Sequence, residues 1–462
     1  MIVMKFGGSS VDTAESIARV AGIVRGQRHR QPVVVVSAMA KTTRKLLEAA
    51  DAAAAGDLEV PRAWSRFEEL REYHTREARA AVPAEGHRVL DAMLERCFSE
   101  LRGALDRIVA EGRVTPRLAD EVASFGELLS SAILSLALTD EEMASPWIDC
   151  RQVMITDDDF TRAKPIYEET EPRLRGALLP HVQEGRVPVL GGYVGSTRDG
   201  ITTTLGKEGS DFSAAIVGAA VGAEEVQIWT DVDGILTADP RIVRGARRIR
   251  TLSFDEALEL ACSGAKKPHY GTLGPAGRAD VPIRILNSWH LHLASESIAE
   301  GTLIGRRNGA AAPGIKSIAC KPGVHQLTVR RVEAGDFLEQ VWEVCERFRP
   351  ALLTLSADEN AAELSLDRPE RLAEIREALE RFARVEVGRG RTVVTMVSED
   401  LAASPGLAEM ALEAARPWEP RLLLRGVSAP CVRCLVDERE EAAVISELHE
   451  RIFPGPPGEP IE

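Results

Sequence analysis

The sequence predicts an α/β protein: a three-layer αβα domain with a mainly parallel sheet, then two interleaved βαββαβ units. Three observations predict it. β-Branched runs alternate with helical patterns up to residue 286. Polar or glycine-bearing clusters follow one strand after another, at 7–10, 37–43, 191–195 and 230–241. Beyond a small-residue stretch at 306–314 the elements become shorter and run twice through one order of strand and helix.

Residues 2–6 read as a buried strand, followed by Gly7-Gly8-Ser9-Ser10 and a helical pattern through Ile17, Val20, Ala21 and Val24. Strand, glycine turn and helix together make a phosphate-binding geometry. The turn is neither a Walker A loop nor a GxGxxG fingerprint, and neither motif occurs elsewhere in the chain. Residues 32–37 form a second buried strand. Residues 44–140 are helical in pattern, with breaks at Pro61, Pro83 and Pro116, and carry the lone acid Glu127 between small and apolar neighbours. Further strands are expected at 147–155, 187–194 and 226–231, and the last strand of this half at 282–286. A helix at 254–264 ends at Gly264.

The densest polar stretch runs from Thr202 to Asp211 and holds Gly206, Lys207, Gly209 and Ser210. A small-residue helix follows. Ser210 or Gly209 is expected to cap it, with Asp211 in a first turn whose unpaired N–H groups attract anions. All these clusters lie at carboxyl ends of strands, where parallel sheets bind ligands. Only nine of the 57 basic residues are lysines, so a lysine in a glycine-rich loop stands out.

Past the 306–314 linker, strands at 325–331, 351–356, 361–367 and 384–387 alternate with helices at 337–348 and 370–382. Phe337, Val341, Val344 and Phe348 share one helical face. That is one complete βαββαβ unit. A second begins at 392–397, continues with helix 406–415, strands 421–427 and 431–436 and helix 441–452, and stops at Pro454-Gly455-Pro456-Pro457, which cannot form a strand. Its missing strand must come from 315–321. The expected domains are therefore 1–305, a first ferredoxin-like unit at 325–391, a second made of 315–324 plus 392–453, and a disordered tail at 454–462.

A chain of 462 residues needs more than one core. A net charge of −14 argues against a nucleic-acid partner. No apolar run is expected to reach the length of a membrane span, and the N-terminus does not read as a signal peptide. Seven scattered cysteines point to free thiols in a reducing cytoplasm. Cys431 and Cys434 have CxxC spacing, but on a strand their sulfurs point to opposite faces, which favours core packing over a metal site.

Lys5-Phe6-Gly7-Gly8-Ser9-Ser10-Val11, Gly126-Glu127-Leu128, the run Thr203 to Asp211, Trp229-Thr230-Asp231-Val232-Asp233-Gly234 and Gly264-Ala265-Lys266, with the tandem C-terminal units, resemble the aspartate kinases of the amino-acid kinase family over essentially the whole chain. The resemblance implies the amino-acid kinase fold with two ACT units. It implies ATP-dependent phosphorylation of the L-aspartate side chain to 4-phospho-L-aspartate, the first step towards lysine, threonine and methionine. Lys5 would hold the moving phosphoryl group, Lys266 would reach the ATP phosphates, and Asp211 would orient these cations. Gly7, Gly8, Ser9, Thr230, Asp231 and Arg241 would line the nucleotide site. Glu127 would pair the substrate ammonium, and Ser37, Thr43, Tyr193, Lys207 and Ser210 would complete the substrate site. Mg²⁺ would lie between the phosphates, with no protein-only metal site.

Lys207 stands where the family usually has an arginine, which keeps the charge but loses the bidentate fork. Leu236 replaces a usual tyrosine, and Lys267 to Gly271 replaces a more apolar run that keeps a family histidine at His269. These departures keep open a kinase for another small amino acid, or an inactive amino-acid sensor. A homo-oligomer, a dimer through the ACT units, is expected, with an amino-acid effector at those units. In lysine-inhibited members an aspartate lies in the strand after the first regulatory helix. Leu353 takes that place here, so weak or absent lysine inhibition is expected.

Overall fold

Apolar runs without a polar face make strands that must be covered on both sides. β1 (Ile2–Phe6) and β2 (Pro32–Val36) are of this kind, and every residue in them is buried. The computed structural model that shows this describes residues 1–462 except 141–142, 266–269, 290–300, 307–313, 333–334, 368, 419–422, 426–430, 456–459 and 462. Between the two strands runs α1 (Ala14–Gly26), capped by the Thr13 hydroxyl, which accepts the Ser16 N–H.

Four helices follow: α2 (Thr42–Ala54), α3 (Val60–Ala81), α4 (His87–Glu111) and α5 (Pro116–Leu138). Pro61 and Pro116 open helices rather than break them, because the first turn needs no proline N–H. By length and composition α5 could cross a membrane, contrary to expectation. It is instead a core helix, with Glu127 buried along with its apolar neighbours.

β3 (Trp147–Ile148), α6 (Tyr167–Gln183), β4 (Val189–Gly191), β5 (Val194–Ser196), β6 (Thr202–Thr204), α7 (Gly209–Val221) and β7 (Glu225–Thr230) come next. β8 (Thr251–Ser253), α8 (Phe254–Cys262), α9 (Tyr270–Ala279), β9 (Ile283–Asn287) and β10 (Thr302–Gly305) follow. The sheet order is β3-β4-β2-β1-β7-β9-β10-β8, parallel throughout except for the β9–β10 pair.

Several expected elements differ. The 147–155 strand shrinks to β3, because a 3₁₀ turn at Cys150–Gln152 interrupts it. The 187–194 strand divides into β4 and β5, because Tyr193 takes the left-handed conformation (φ 62°). β9 is not the last strand of its half, since β10 pairs with it antiparallel. β6, hairpin partner of β5, and β8 were not expected as strands.

The chain forms two compact units. One holds Met1–Ile235, Ile249–Phe254 and Pro268–Asn308, the other Leu236–Arg248, Asp255–Lys267 and Gly309–Glu462. The second unit thus includes two segments that the sequence places within 1–305.

In the second unit, β11 (Ser317–Arg331), α10 (Phe337–Phe348), β12 (Leu352–Ala357), β13 (Ala361–Asp367), α11 (Leu372–Glu380) and β14 (Ala383–Val397) precede α12 (Asp400–Ala403), α13 (Pro405–Ala415), β15 (Leu423–Arg425), β16 (Cys431–Asp437) and α14 (Glu441–Ile452). Their sheet runs β12-β13-β11-β14-β16-β15. β11 and β14 are long enough to serve both ferredoxin-like units. The first half of β11 pairs with the last half of β14, and the reverse, with register shifts between Lys321 and Gln326. The strand missing from the second unit is therefore the start of β11. Two cores result: Leu327, Val341, Leu364 and Leu379 fill the first, and Ile318, Val394, Val432, Cys434 and Ile445 the second. Neither CxxC cysteine forms a disulfide among the described residues, and both are buried. The tail is not wholly disordered, because the Ile461 N–H donates to the Arg248 carbonyl.

Ile318 precedes the whole first ferredoxin-like unit in sequence but packs in the core of the second. Ile318→Ala is expected to cost about 2–5 kcal/mol. The loss should appear in the urea transition that exposes Trp418, a half-buried neighbour of that core. A transition left unshifted would contradict the strand exchange.

Candidate active site

Alternation along β1 decides where its side chains go. Ile2, Met4 and Phe6 join the core with helices α1–α5. Lys5 therefore turns to the opposite face, where α7 begins. Asp211 lies in the first turn of α7, and its Oδ1 is 2.5 Å from Lys5 Nζ, with both residues buried. The strand order reverses between β1 and β7, the position at which parallel sheets open a crevice. There the Gly7 N–H donates to the Trp229 carbonyl at 3.2 Å, and Ser10 Oγ lies 2.8 Å from Ser288 Oγ. A Cβ on Gly8 would come within 2.5 Å of the Ala38 carbonyl, so only glycine lets the turn lie against the loop after β2.

That loop closes the other side. The Ser37 N–H donates to Phe6 O, and Ala40 N–H to Gly8 O. α5 approaches it closely: a Cβ on Gly126 would stand 2.7 Å from Ala38 Cβ and 3.3 Å from Thr43 Oγ1. Glu127 follows, with its backbone and Cβ against Gly191 at the end of β4. Burial pushes the Glu127 carboxyl up to about 8, against hydrogen bonds from the Ala38 and Glu127 backbone and the pull of the Lys5 charge. Its Oε2 is buried without a hydrogen-bond partner. A buried carboxylate of this kind is costly until a cation meets it.

The helix cap differs from expectation. Neither Ser210 nor Gly209 caps α7; Glu208 takes that position in the left-handed region, without a side-chain cap. Gly192 packs on Ser210, where a Cβ would be 2.7 Å from Ser210 Cα. Gly209 packs on the Tyr193 ring.

Lys5, Gly7, Gly8, Thr43, Glu127, Tyr193, Ser210 and Asp211 thus converge on adjoining strand ends, with Thr230 closing β7 and its hydroxyl donating to Asp231. Ser9 and Lys207 are exposed, and Ser37 is half-buried. Arg241 belongs to the other unit, where it is exposed and paired with Asp239. Lys266 and His269 lie outside the described residues. Sequence reasoning missed two buried groups. His74, pulled down to about 4 by burial, faces the Thr42 hydroxyl. Asp120 lies two turns before Glu127 on the same helix, a spacing that could have pointed to it.

Residues 1–287 match the amino acid kinase family. The chain is 31% identical to aspartokinase 2, chloroplastic, of Arabidopsis thaliana, over 98% of this chain and 84% of that protein. It is 30% identical to lysine-sensitive aspartokinase 3 of Escherichia coli K12, over 98% of this chain and 99% of that protein. The chain belongs to the aspartate kinases of the amino acid kinase family. As an aspartate kinase it superposes on E. coli aspartokinase III in complex with aspartate and ADP with a TM-score of 0.81 at 30% identity, covering 98% of this chain and 100% of that one. Aspartate kinase from Clostridium acetobutylicum, at 21% identity and a TM-score of 0.80, shares the fold.

The Glu127 carboxyl ionises near 4.5 when free and near 8 in the folded enzyme. Between these values the folded state keeps a proton that the unfolded chain has lost, so this group lowers stability as pH rises through that window. Glu127→Gln removes the penalty. Its Tm should exceed that of the parent enzyme at pH 8 by several degrees, at about 2–4 °C per kcal/mol. The difference should vanish by pH 4, and equal Tm values at pH 8 would contradict the burial argument.

Proposed function

We propose that this aspartate kinase transfers the γ-phosphoryl group of ATP to the side-chain carboxylate of L-aspartate, giving 4-phospho-L-aspartate and ADP. The observation that carries this is the buried Glu127 carboxyl, whose Oε2 has no hydrogen-bond partner, within reach of the Lys5 charge that Asp211 pairs. An amino-acid substrate brings the ammonium that Glu127 lacks. A substrate carboxylate is already ionised at pH 7, so attack on phosphorus needs no general base. The new bond joins a carboxylate oxygen to phosphorus, while the bond from phosphorus to the bridging oxygen of ADP breaks.

The residues take these parts in the proposal. Lys5, aimed by Asp211, neutralises charge on the phosphoryl group in flight. Gly7, Gly8 and Ser9 carry backbone N–H groups past the phosphates, and Thr230 and Asp231 line the nucleotide site. Ser37, Thr43, Tyr193, Lys207 and Ser210 hold the amino acid together with Glu127. Mg²⁺ prefers oxygen ligands, and the exposed Asp231 carboxylate beside the strand ends fits it, together with the phosphates. When bound, it supplies neutralisation of phosphate charge.

The free thiols fit a reducing, cytoplasmic setting. Leu338 and Trp342, one helical turn apart and exposed on α10, support a dimer through the first ACT unit. ATP consumption over a panel of amino acids, with hydroxylamine trapping of the acyl phosphate, tests the assignment. Turnover of another acid in place of aspartate would overturn it.

Lys5→Met is expected to lower kcat by about 10²–10³. Because it strands a buried carboxylate, it also costs about 3–5 kcal/mol of stability. The double variant Lys5→Met/Asp211→Asn should recover stability and stay inactive. Recovery of activity would remove Lys5 from the chemistry.

Control by an amino acid belongs to the same proposal. Leu353 packs against Val324, Val393 and Leu435, an apolar cluster that offers a lysine ammonium no partner. Lysine at millimolar concentration should leave activity within about twofold. Strong inhibition by sub-millimolar lysine alone would show the effector site to be built otherwise.

A further inference from the structure

Asp120 is an acid almost without solvent contact, 1% exposed, on the helix that also buries Glu127. Its carboxylate serves two segments far apart in sequence. Oδ2 accepts the Thr161 N–H and the Thr204 N–H, each at 2.9 Å, and Oδ1 accepts the Thr204 hydroxyl at 2.6 Å. Burial raises its pKa, and these three hydrogen bonds oppose the rise.

Both segments bracket the turn at 205–208 that carries Lys207. Thr204 is the last residue of β6, and the next residue, Leu205, donates its N–H to the Tyr193 carbonyl at 2.9 Å. Thr161, held in the left-handed region at φ 72°, presents its carbonyl to Gly206, where a Cβ would be only 3.2 Å away. The Ala163 N–H donates to the Thr204 carbonyl at 2.9 Å. The Tyr193 phenol is pushed up to about 12 by burial, while a hydrogen bond with the Thr204 side chain opposes it and Glu127 and Asp120 add to it. Lys207 itself is exposed and enters no ion pair among the described residues, so only its backbone fixes where it stands.

We propose that Asp120 is a positioning residue for the acceptor half of the site: it clamps Thr161 and Thr204 and thereby sets the turn that presents Lys207 and the Tyr193 ring to the amino-acid substrate. The inference rests on the assignment of this site to an amino acid. A carboxylate suits the task because all three groups facing it are donors. An amide of the same shape turns one donor against the Thr204 hydroxyl, which must then reverse and accept. None of these three hydrogen bonds involves Lys5 or the glycine turn after it, so KM for ATP should change less than KM for aspartate.

The test compares the full-length enzyme with Asp120→Asn, Thr204→Val and the double variant. Thr204→Val leaves the backbone hydrogen bond and removes only the hydroxyl. Wild-type turnover of aspartate, measured first by hydroxylamine trapping, reports on the assignment of the site. The variants report on Asp120. Each single variant is expected to raise KM for aspartate about tenfold, as loss of one charge-assisted hydrogen bond does, with kcat and KM for ATP within about twofold. The double variant should be no worse than the worse single one, because one unit has been broken twice. Equal changes in both KM values, additive effects, or an unchanged KM for aspartate in a folded variant would each overturn the proposal. Should Asp120→Asn not fold, Thr204→Val alone decides it by the same split between the two KM values.

Discussion

An ammonium and a carboxylate, 2.5 Å apart and shut away from water, hold the centre of the catalytic unit. Neither charge is tolerable alone in that position, since desolvating an ion costs several kcal/mol unless a partner repays it. The pair therefore fixes β1 against the start of α7, and with them the glycine turn after Lys5 and the polar turn before Asp211. The arrangement also holds the Lys5 charge at the strand end, beside the glycine turn.

α5 is the second organiser. It is apolar enough to be mistaken for a membrane segment, yet it carries two buried acids two turns apart on one face. Glu127 lacks a partner for one oxygen, while Asp120 has three donors. The difference sorts their tasks. The satisfied acid ties two distant segments together, the other keeps one oxygen unmet, and one helix sets the positions of both.

Much of this was legible in the chain. β-Branched runs and glycine clusters fixed which strand ends would meet, and the proline-rich stop at 454–457 forced the exchange of a strand between the two C-terminal units. Lys5 and Asp211 could be named because lysine is rare here, but their mutual pairing depends on strand alternation and on the start of α7. Short strands escaped: β8, at the sheet's edge, and β10 beside it have three and four residues, and β8 finds its one partner far off in sequence. Tyr193 divided an expected strand because a left-handed backbone at a bulky residue leaves no mark in periodicity. Asp120 looked like one more charge at the start of a helix until its donors, 41 and 84 residues away, were in place.

The exchange of strands between the C-terminal units makes them indivisible in inheritance. β11 begins in one and ends in the other, and β14 does the reverse. Deleting the segment of the first unit would take a neighbour's edge with it, and a recombination event that copied only one unit would deliver an open sheet with unpaired backbone. Such a pair can be gained, lost or transplanted only whole. Either sequence can still drift on its own, which leaves the two cores free to diverge on a scaffold that cannot come apart.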